Sequence, residues 1–296
     1  MISVNLISSI KEMLCGFFRA KNGKKTRIVF YIIYSFVILL ACLYVRFPGG
    51  VIKNYLLSRA SEDRPDVFLT IGAVKPCFPA GLELERLNLV FSGISREGIK
   101  AEELAVQPDL SNIMIGKSGL LVNMKAYDGE AEGGLLLGSL FSFSEPVHSR
   151  MFLDRINIGK CAFLQDVLGR KISGTLKGTF DYRGYCNEVI GGDGTIKIVL
   201  SNGSYQLLDR LLGSERLDFT SIELQMRLHK KTLKIEKLNV KGHLVACALT
   251  GDVFLTEDVK KSRIDLKGDM ETSGETRKKI PVFISGTLGS PQMKFI

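Results

Sequence analysis

The sequence predicts a mainly β protein, in which one N-terminal transmembrane helix precedes a large antiparallel β meander with a few short helices. Three observations lead to this prediction. Residues 28–45 form an uncharged apolar run, the dominant period from residue 66 onward is two, and neither a βαβ rhythm nor a GxGxxG turn is present. With 296 residues, 45% of them hydrophobic and 24% charged, the chain also lies outside the disordered and small disulfide-knot classes.

The apolar run at residues 28–45 is long enough to cross a bilayer. At 1.5 Å per residue, a helix of this length covers about 27 Å. A cleaved signal peptide usually has an apolar part of about 7–15 residues and a small-residue cleavage site, and neither fits here. The residues that we expect to anchor the chain are Ile28, Phe30, Ile33, Phe36, Ile38, Leu40, Leu43 and Val45.

A second alternative to a simple span is lipidation at Cys42. Residues 39–42 resemble a lipoprotein cleavage box with an unsuitable residue at Leu40. The apolar run continues past Cys42 and the leader before it is long, so we expect an intact helix.

The charge of the leader predicts the orientation of this helix. Residues 1–27 carry six Lys or Arg and one Glu, so more than half of the net charge of +9 precedes the span. By the positive-inside rule the leader stays in the cytoplasm. We therefore expect a basic cytoplasmic leader at 1–27, a transmembrane helix at 28–47 and an exported β-rich domain at 48–296. The basic charge then reflects topology, and we expect no nucleic acid partner.

Within the leader, apolar residues recur at helical spacing. This pattern is typical either of an amphipathic helix on the inner leaflet or of a short frayed leader. The residues concerned are Leu6, Ile10, Met13, Leu14 and Phe17.

After the span, residues 51–60 return to helical spacing, with Val51, Tyr55 and Leu56 on one side and Pro65 as the terminator. Further short helices are predicted at 110–115, 161–168 and 205–212. The rest reads as roughly twelve to fourteen strands, most of them joined to their neighbours in sequence.

The clearest strand pair lies on either side of the turn at residues 229–231. Apolar residues alternate with polar ones in both segments, so one face of this hairpin is apolar. We expect a candidate apolar wall made of Ile222, Leu224, Met226, Leu228, Leu233, Ile235, Leu238 and Val240. Such a meander has to shelter its apolar face by closing as a barrel, folding as a sandwich or curling into an open trough.

The sequence gives little sign of catalysis. We expect no catalytic, cofactor-binding or metal-binding residues: no CxxC pair or GxSxG motif occurs, and residues 115–118 resemble only the tail of a phosphate loop. The three histidines, His148, His229 and His243, are interpreted as surface or capping residues.

Carboxylates and thiols leave two questions open. Paired carboxylates are the chemistry of glycan hydrolysis, which makes residues near glycine-rich turns the alternative site to consider. These residues are Asp181, Asp193, Asp252 and Asp269. Four cysteines beyond the span allow zero, one or two disulfides in an oxidising compartment, namely Cys77, Cys161, Cys186 and Cys247.

Several short segments resemble one known family. The sequences LYVRFP at 43–48, VFLTIG at 67–72, PAGLEL at 79–84 and ISGTLGSPQ at 284–292 are similar to type II secretion system protein N (GspN), and the last is also similar to AsmA-like envelope proteins. The resemblance implies a single-pass protein of the bacterial inner membrane, with its N-terminus in the cytoplasm and its β domain in the periplasm. It brings no catalytic residues.

Two functions follow as expectations. The first is a non-enzymatic component of the type II protein secretion apparatus, whose β domain docks other secretion proteins. The alternative is an AsmA-like protein that binds or transfers phospholipid of the cell envelope. In both cases the inner membrane lipid is a partner.

Overall fold

The structure, a computed structural model, describes most of the chain after the leader. The described residues are 24–63, 65–78, 80–92, 95–139, 142–185, 188–211, 214–242, 245–256, 258, 261–272 and 279–295. The chain divides into two compact units, Met1–Pro48 and Gly49–Ile296. The amphipathic pattern predicted in the leader lies outside the described residues.

Four α-helices and one 3-10 helix are described. They are α1 Lys24–Val45, α2 Gly49–Asp63, α3 Leu110–Met114, the 3-10 helix Ile158–Lys160 and α4 Ala162–Leu168. The strands are β1 Val67–Thr70, β2 Ala73–Cys77, β3 Gly81–Phe91, β4 Ile99–Pro108, β5 Ser118–Ala126, β6 Gly129–Ser139, β7 Ser142–Asn157, β8 Ile172–Tyr185, β9 Glu188–Leu211, β10 Ser214–His229, β11 Thr232–Gly242, β12 Val245–Phe254, β13 Arg263–Thr272, β14 Lys279–Thr287 and β15 Ser290–Phe295.

Helix α1 makes up the described part of the first unit. Its apolar side chains face outward, with Ile28, Ile33 and Val45 exposed and the rings of Phe30 and Tyr34 stacked at 6.4 Å. Ile38 is also exposed, whereas the side chains of three other expected anchor residues lie outside the described ones: Phe36, Leu40 and Leu43. Among the helices in the described part of the chain, none combines the length and the mean hydropathy of a membrane span.

The second unit is built on one antiparallel sheet, as the period-two pattern predicts. In the described residues the sheet has fifteen strands in the order β1, β3, β4 and then each later strand in turn to β15, while β2 pairs with the first half of β3. Each strand from β3 onward is bonded to its neighbours in sequence. The mainly β prediction is therefore confirmed, with slightly more strands than expected.

Tight turns and bulges maintain this register. Lys230 and Lys231 join β10 to β11 with φ of 42° and 67°, and Tyr127 and Asp128 join β5 to β6 with φ of 53° and 61°. Positive φ at both central residues is the signature of a type I′ turn, whose twist matches that of the flanking strands. Arg86 has φ of 51°, but the register of β3 with β4 is the same on either side of it. A bulge lies instead in the pairing of β10 with β11, between Gln225 and Met226.

The helix predicted at 205–212 was wrong. Residues 205–211 belong to strand β9, because Tyr205 pairs with both Ile172 and Leu217 and tertiary pairing overrides the local helical spacing. The helix predicted at 51–60 is present as α2, and Val51 and Tyr55 in it are 70% and 66% exposed. The helix packs on β1 and β2 through another side, which contains the half-buried residues Ile52, Leu56, Leu57 and Ala60.

The best buried part of the sheet lies in its last strands. Ile235, Val253, Ile264 and Leu266 form one cluster, and a second cluster contains Leu249, Met270 and Val282. Both clusters are on the same face of the sheet. This face thus has a buried core near β11–β14.

Candidate functional site

One face of the sheet is apolar along its whole length. A single row of register partners crosses β2 to β14, and each residue in it is either hydrophobic or glycine. The row consists of Val74, Leu84, Leu104, Met124, Ala131, Leu153, Gly178, Ile198, Leu224, Leu238, Leu249, Gly268 and Val282. We call the face that carries this row the apolar face.

The structure places the eight predicted wall residues on this face as four cross-strand pairs of β10 and β11. The pairs are Ile222 with Val240, Leu224 with Leu238, Met226 with Ile235, and Leu228 with Leu233. The pattern of the hairpin thus predicted both members of each pair, and the structure adds the same apolar pattern on the flanking strands.

Much of the apolar face is only half-buried. Of the eight wall residues, Leu228 and Ile235 are buried, and the other six are half-buried. Leu104, Met124 and Ile198 in the earlier strands are half-buried as well. All the described strands belong to a single sheet, so no second sheet in the described part of the unit covers this face.

One end of the apolar face is packed by the segment between β7 and β8. Ile158 of the 3-10 helix clusters with Leu200 and Phe219, and Leu164 of α4 packs against this cluster. The ring of Phe163, also in α4, lies 5.9 Å from the ring of Phe91 in β3. Helix α4 therefore joins strands that are far apart in the sheet order.

Hydrogen bonds hold this segment in place. The Asp166 Oδ2 atom accepts a bond of 2.6 Å from the Ser95 hydroxyl and one of 3.0 Å from the Arg96 backbone N–H. Nearby, the Lys100 backbone N–H donates to the Tyr127 hydroxyl at 2.8 Å, and burial raises the pKa of Tyr127 to about 12. We call this region the packed end of the sheet.

The opposite face of the sheet is polar and rich in cross-strand ion pairs. Lys125 lies 2.8 Å from Glu103, and Arg227 lies 3.0 Å from Glu236. Each of these four side chains is at least one quarter exposed. Exposed pairs of this kind contribute about 0–1 kcal/mol each, so they are mainly a solvated surface.

An open concavity of about 780 Å³ lies on this polar face over β4–β7. At its margin, Asp181 accepts a hydrogen bond of 2.9 Å from Arg150 Nε and lies 3.1 Å from His148 Nε2. Partial burial alone would raise the pKa of the Asp181 carboxyl, but the bonds from Arg150 and His148 lower it below its ordinary value. A general acid for glycoside cleavage needs a raised pKa, so Asp181 is unsuited to that role.

The other carboxylates considered for hydrolysis are dispersed. Asp193 lies 2.5 Å from His229, Asp252 is opposite Asp265, and Asp269 is opposite Ala248. Both described histidines therefore have an aspartate partner from a neighbouring strand. Sequence reasoning missed these pairs because the partners are 33 and 36 residues apart.

The remaining candidate motifs have ordinary local roles. Lys117 follows a five-residue helix and precedes strand β5, so the phosphate-loop resemblance lacks the helix that would bind phosphate. Cys77, Cys161 and Cys247 carry free thiols, and Cys186 lies outside the described residues. In the described part of the chain, no group of His, Cys, Asp and Glu side chains could hold a metal ion.

Comparisons with known proteins add no relative. No family model, no curated protein and no solved structure matches this chain. The apolar face is therefore the feature from which a function has to be argued.

Proposed function

We propose that the unit Gly49–Ile296 shelters the acyl chains of membrane lipids on its apolar face. The observation that supports this most strongly is the uninterrupted apolar row across β2–β14, together with the half-buried state of its middle members. A sheet face that served only as a core would be covered by a second layer. A soluble ligand with polar groups would find few partners there.

The expected affinity follows from the burial of methylene groups. A fully buried methylene contributes about 0.8 kcal/mol, so about ten half-sheltered methylenes contribute roughly 4 kcal/mol. The row has no polar side chain that could recognise a headgroup. We therefore expect weak, exchangeable binding that discriminates little between lipid species.

The location proposed for this activity is the bacterial inner membrane. The uncharged run at 28–45 and the basic leader support a single-pass anchor with a cytoplasmic N-terminus and a periplasmic β domain. No chemical step and no cofactor is part of this proposal.

Site-specific photo-crosslinking tests the proposal in the full chain. The photoreactive residue p-benzoylphenylalanine replaces Leu224 on the apolar face in one variant and the adjacent Gln225 on the polar face in the control. We expect phospholipid adducts at position 224 and not at position 225. Absence of lipid adducts at position 224 in a folded protein, or equal labelling of both positions, would refute the proposal.

A second candidate function is docking of type II secretion proteins. The observation that favours it is the outer edge of β15, which pairs with β14 alone among the described strands and exposes Met293 and Lys294. An open edge can accept a strand from a partner. The resemblance to the GspN family points to secretion components as those partners.

Genetics distinguishes the two functions. If docking is the main role, deleting the gene stops the export of folded proteins across the outer membrane and leaves the lipid composition of the envelope unchanged. If lipid handling is the main role, the lipid composition changes first. A gene located next to those for a secretion ATPase and an outer-membrane secretin would favour docking.

A further inference from the structure

A group of exposed hydrophobic side chains lies at one end of the sheet. The turn between β2 and β3 and the connection between β4 and β5 carry Phe78, Leu110, Ile113, Met114 and Ile115, which we call the apolar rim. Phe78 is 80% exposed, Met114 is 87% exposed and Ile115 is 67% exposed. Grouped exposure of large apolar side chains is unusual for a protein surface that faces only water.

The two segments of the rim are held next to each other by defined contacts. The side-chain amide of Gln107 donates to the Phe78 carbonyl at 3.0 Å. Asp109 caps helix α3 by accepting from the backbone N–H groups of Ser111 and Asn112 at 3.1 and 3.2 Å. The apolar side chains are therefore presented by an ordered, capped turn.

The same end of the sheet carries further apolar and basic residues. Phe254 and Leu288 are 45% and 39% exposed where β12 and β14 end. Lys117 is exposed beside the rim, and the exposed pair Lys230 and Lys231 forms the turn between β10 and β11. This combination of apolar tips and lysines is the chemistry that suits a bilayer with anionic headgroups.

The course of the chain agrees with this assignment. Lys53, in the first turns of α2, donates to the carbonyl of Gly72 at 3.2 Å, while α2 ends just before β1 begins. Helix α2 thus runs opposite to β1, and its first residue, Gly49, lies toward the end of the sheet that carries the rim. Gly49 and the rim thus lie toward the same end of the strands, whereas the packed end lies at the opposite end.

We propose that the apolar rim inserts into the interfacial layer of a phospholipid bilayer. Phe78, Met114 and Ile115 enter the boundary between headgroups and acyl chains, and Lys117 beside them contacts the anionic headgroups. If the proposed function also holds, the rim is the side from which lipid reaches the apolar face, because α4 occupies the packed end. The docking itself rests on the rim residues and does not require lipid on that face.

The absence of tryptophan from the chain provides a direct test. The full chain carries Met114→Trp in one variant and, as a control, Phe68→Trp, a 62% exposed position at the other end of the sheet. Each variant is reconstituted into vesicles of phosphatidylethanolamine and phosphatidylglycerol, with and without brominated acyl chains. Circular dichroism shows whether both variants are folded.

We expect the emission of Met114→Trp to be blue-shifted and mostly quenched by brominated lipid, while Phe68→Trp stays red-shifted and unquenched. Adding Ile115→Asp to the Met114→Trp variant should reverse most of the quenching. A blue shift without quenching would mean that a protein, either a second copy or a partner, covers the rim, and it would overturn the proposal. Absence of both effects, or equal quenching of the two variants, would overturn it as well.

The two proposals fail separately. Crosslinking at position 224 reports on the apolar face, whereas quenching at position 114 reports on the rim. Lipid adducts at position 224 without quenching at position 114 would support the proposed function and refute the docking of the rim into a bilayer.

Discussion

Truncating two leucines of the same hydrophobic cluster should have very different effects on stability. Leu266 is 3% exposed and belongs to the buried cluster of β11–β13, whereas Leu224 is half-buried and packs against the outside of that cluster. Both changes to alanine remove the same atoms. The difference between them therefore measures how much of the apolar face is a closed core.

The magnitudes follow from burial. Leu266→Ala loses the transfer free energy of its side chain and leaves a cavity, so it should cost about 3 kcal/mol within the usual range of about 2–5 kcal/mol. Leu224→Ala loses roughly half of a transfer free energy of about 2 kcal/mol and opens to solvent without a closed cavity, so it should cost about 1 kcal/mol.

Urea unfolding of the lipid-free full chain in detergent, followed by far-UV circular dichroism, measures both costs. The wild-type chain and Gln225→Ala, on the polar face, are the controls. If Leu224→Ala lowers the free energy of unfolding as much as Leu266→Ala does, the middle of the face is covered, and the argument for a lipid-accessible surface fails.

Three further predictions concern local geometry and charge. Gly133→Ala should destabilise the sheet by roughly 1–3 kcal/mol, because the new Cβ would collide with the backbone of β7. The control Gly134→Ala has no neighbour closer than 3.8 Å and should change the unfolding free energy by less than about 0.5 kcal/mol. Equal urea midpoints of the two variants would contradict this. The pKa of Asp181 is lowered from its ordinary value of 3.8 by its ion pair. This pair therefore stabilises the fold fully at a pH above 3.8, and the stabilisation is lost as the pH falls through the lowered pKa. Thermal unfolding of Asp181→Asn should therefore depend less on pH below about 4 than that of the wild type, and an unchanged pH profile would contradict the pairing. Replacing Lys230 and Lys231 by Asn-Gly should raise the melting temperature, since these residues adopt the positive φ of a type I′ turn without strain, and a lower melting temperature would count against the turn.

The sequence was informative about strands because their pattern is local. Alternation in 222–228 and 233–240 predicted a hairpin and its apolar side, and these are properties that a strand and its sequence neighbour share. The same reasoning failed where a distant element decides. Residues 205–211 have helical spacing, but the pairing of Tyr205 with both β8 and β10 places this segment in strand β9.

In the candidate site, too, local features could be predicted and features set by distant residues could not. The apolar wall could be predicted because it repeats within each strand. The packed end could not, because the contact between Asp166 and Ser95 joins residues 71 positions apart. The rim was also missed, since the exposure of Phe78 and Met114 depends on where their turns lie at the end of the sheet.

From β3 onward, the pairing of each strand with the one that precedes it has a consequence for biogenesis. Each new strand needs only the previous one as a template, so the sheet can grow in the order in which the polypeptide is delivered. A chain that emerges from its N-terminus during synthesis can thus become ordered stepwise, well before its last residues have been made. Loss of the final strands would then shorten the finished sheet without preventing the earlier ones from assembling.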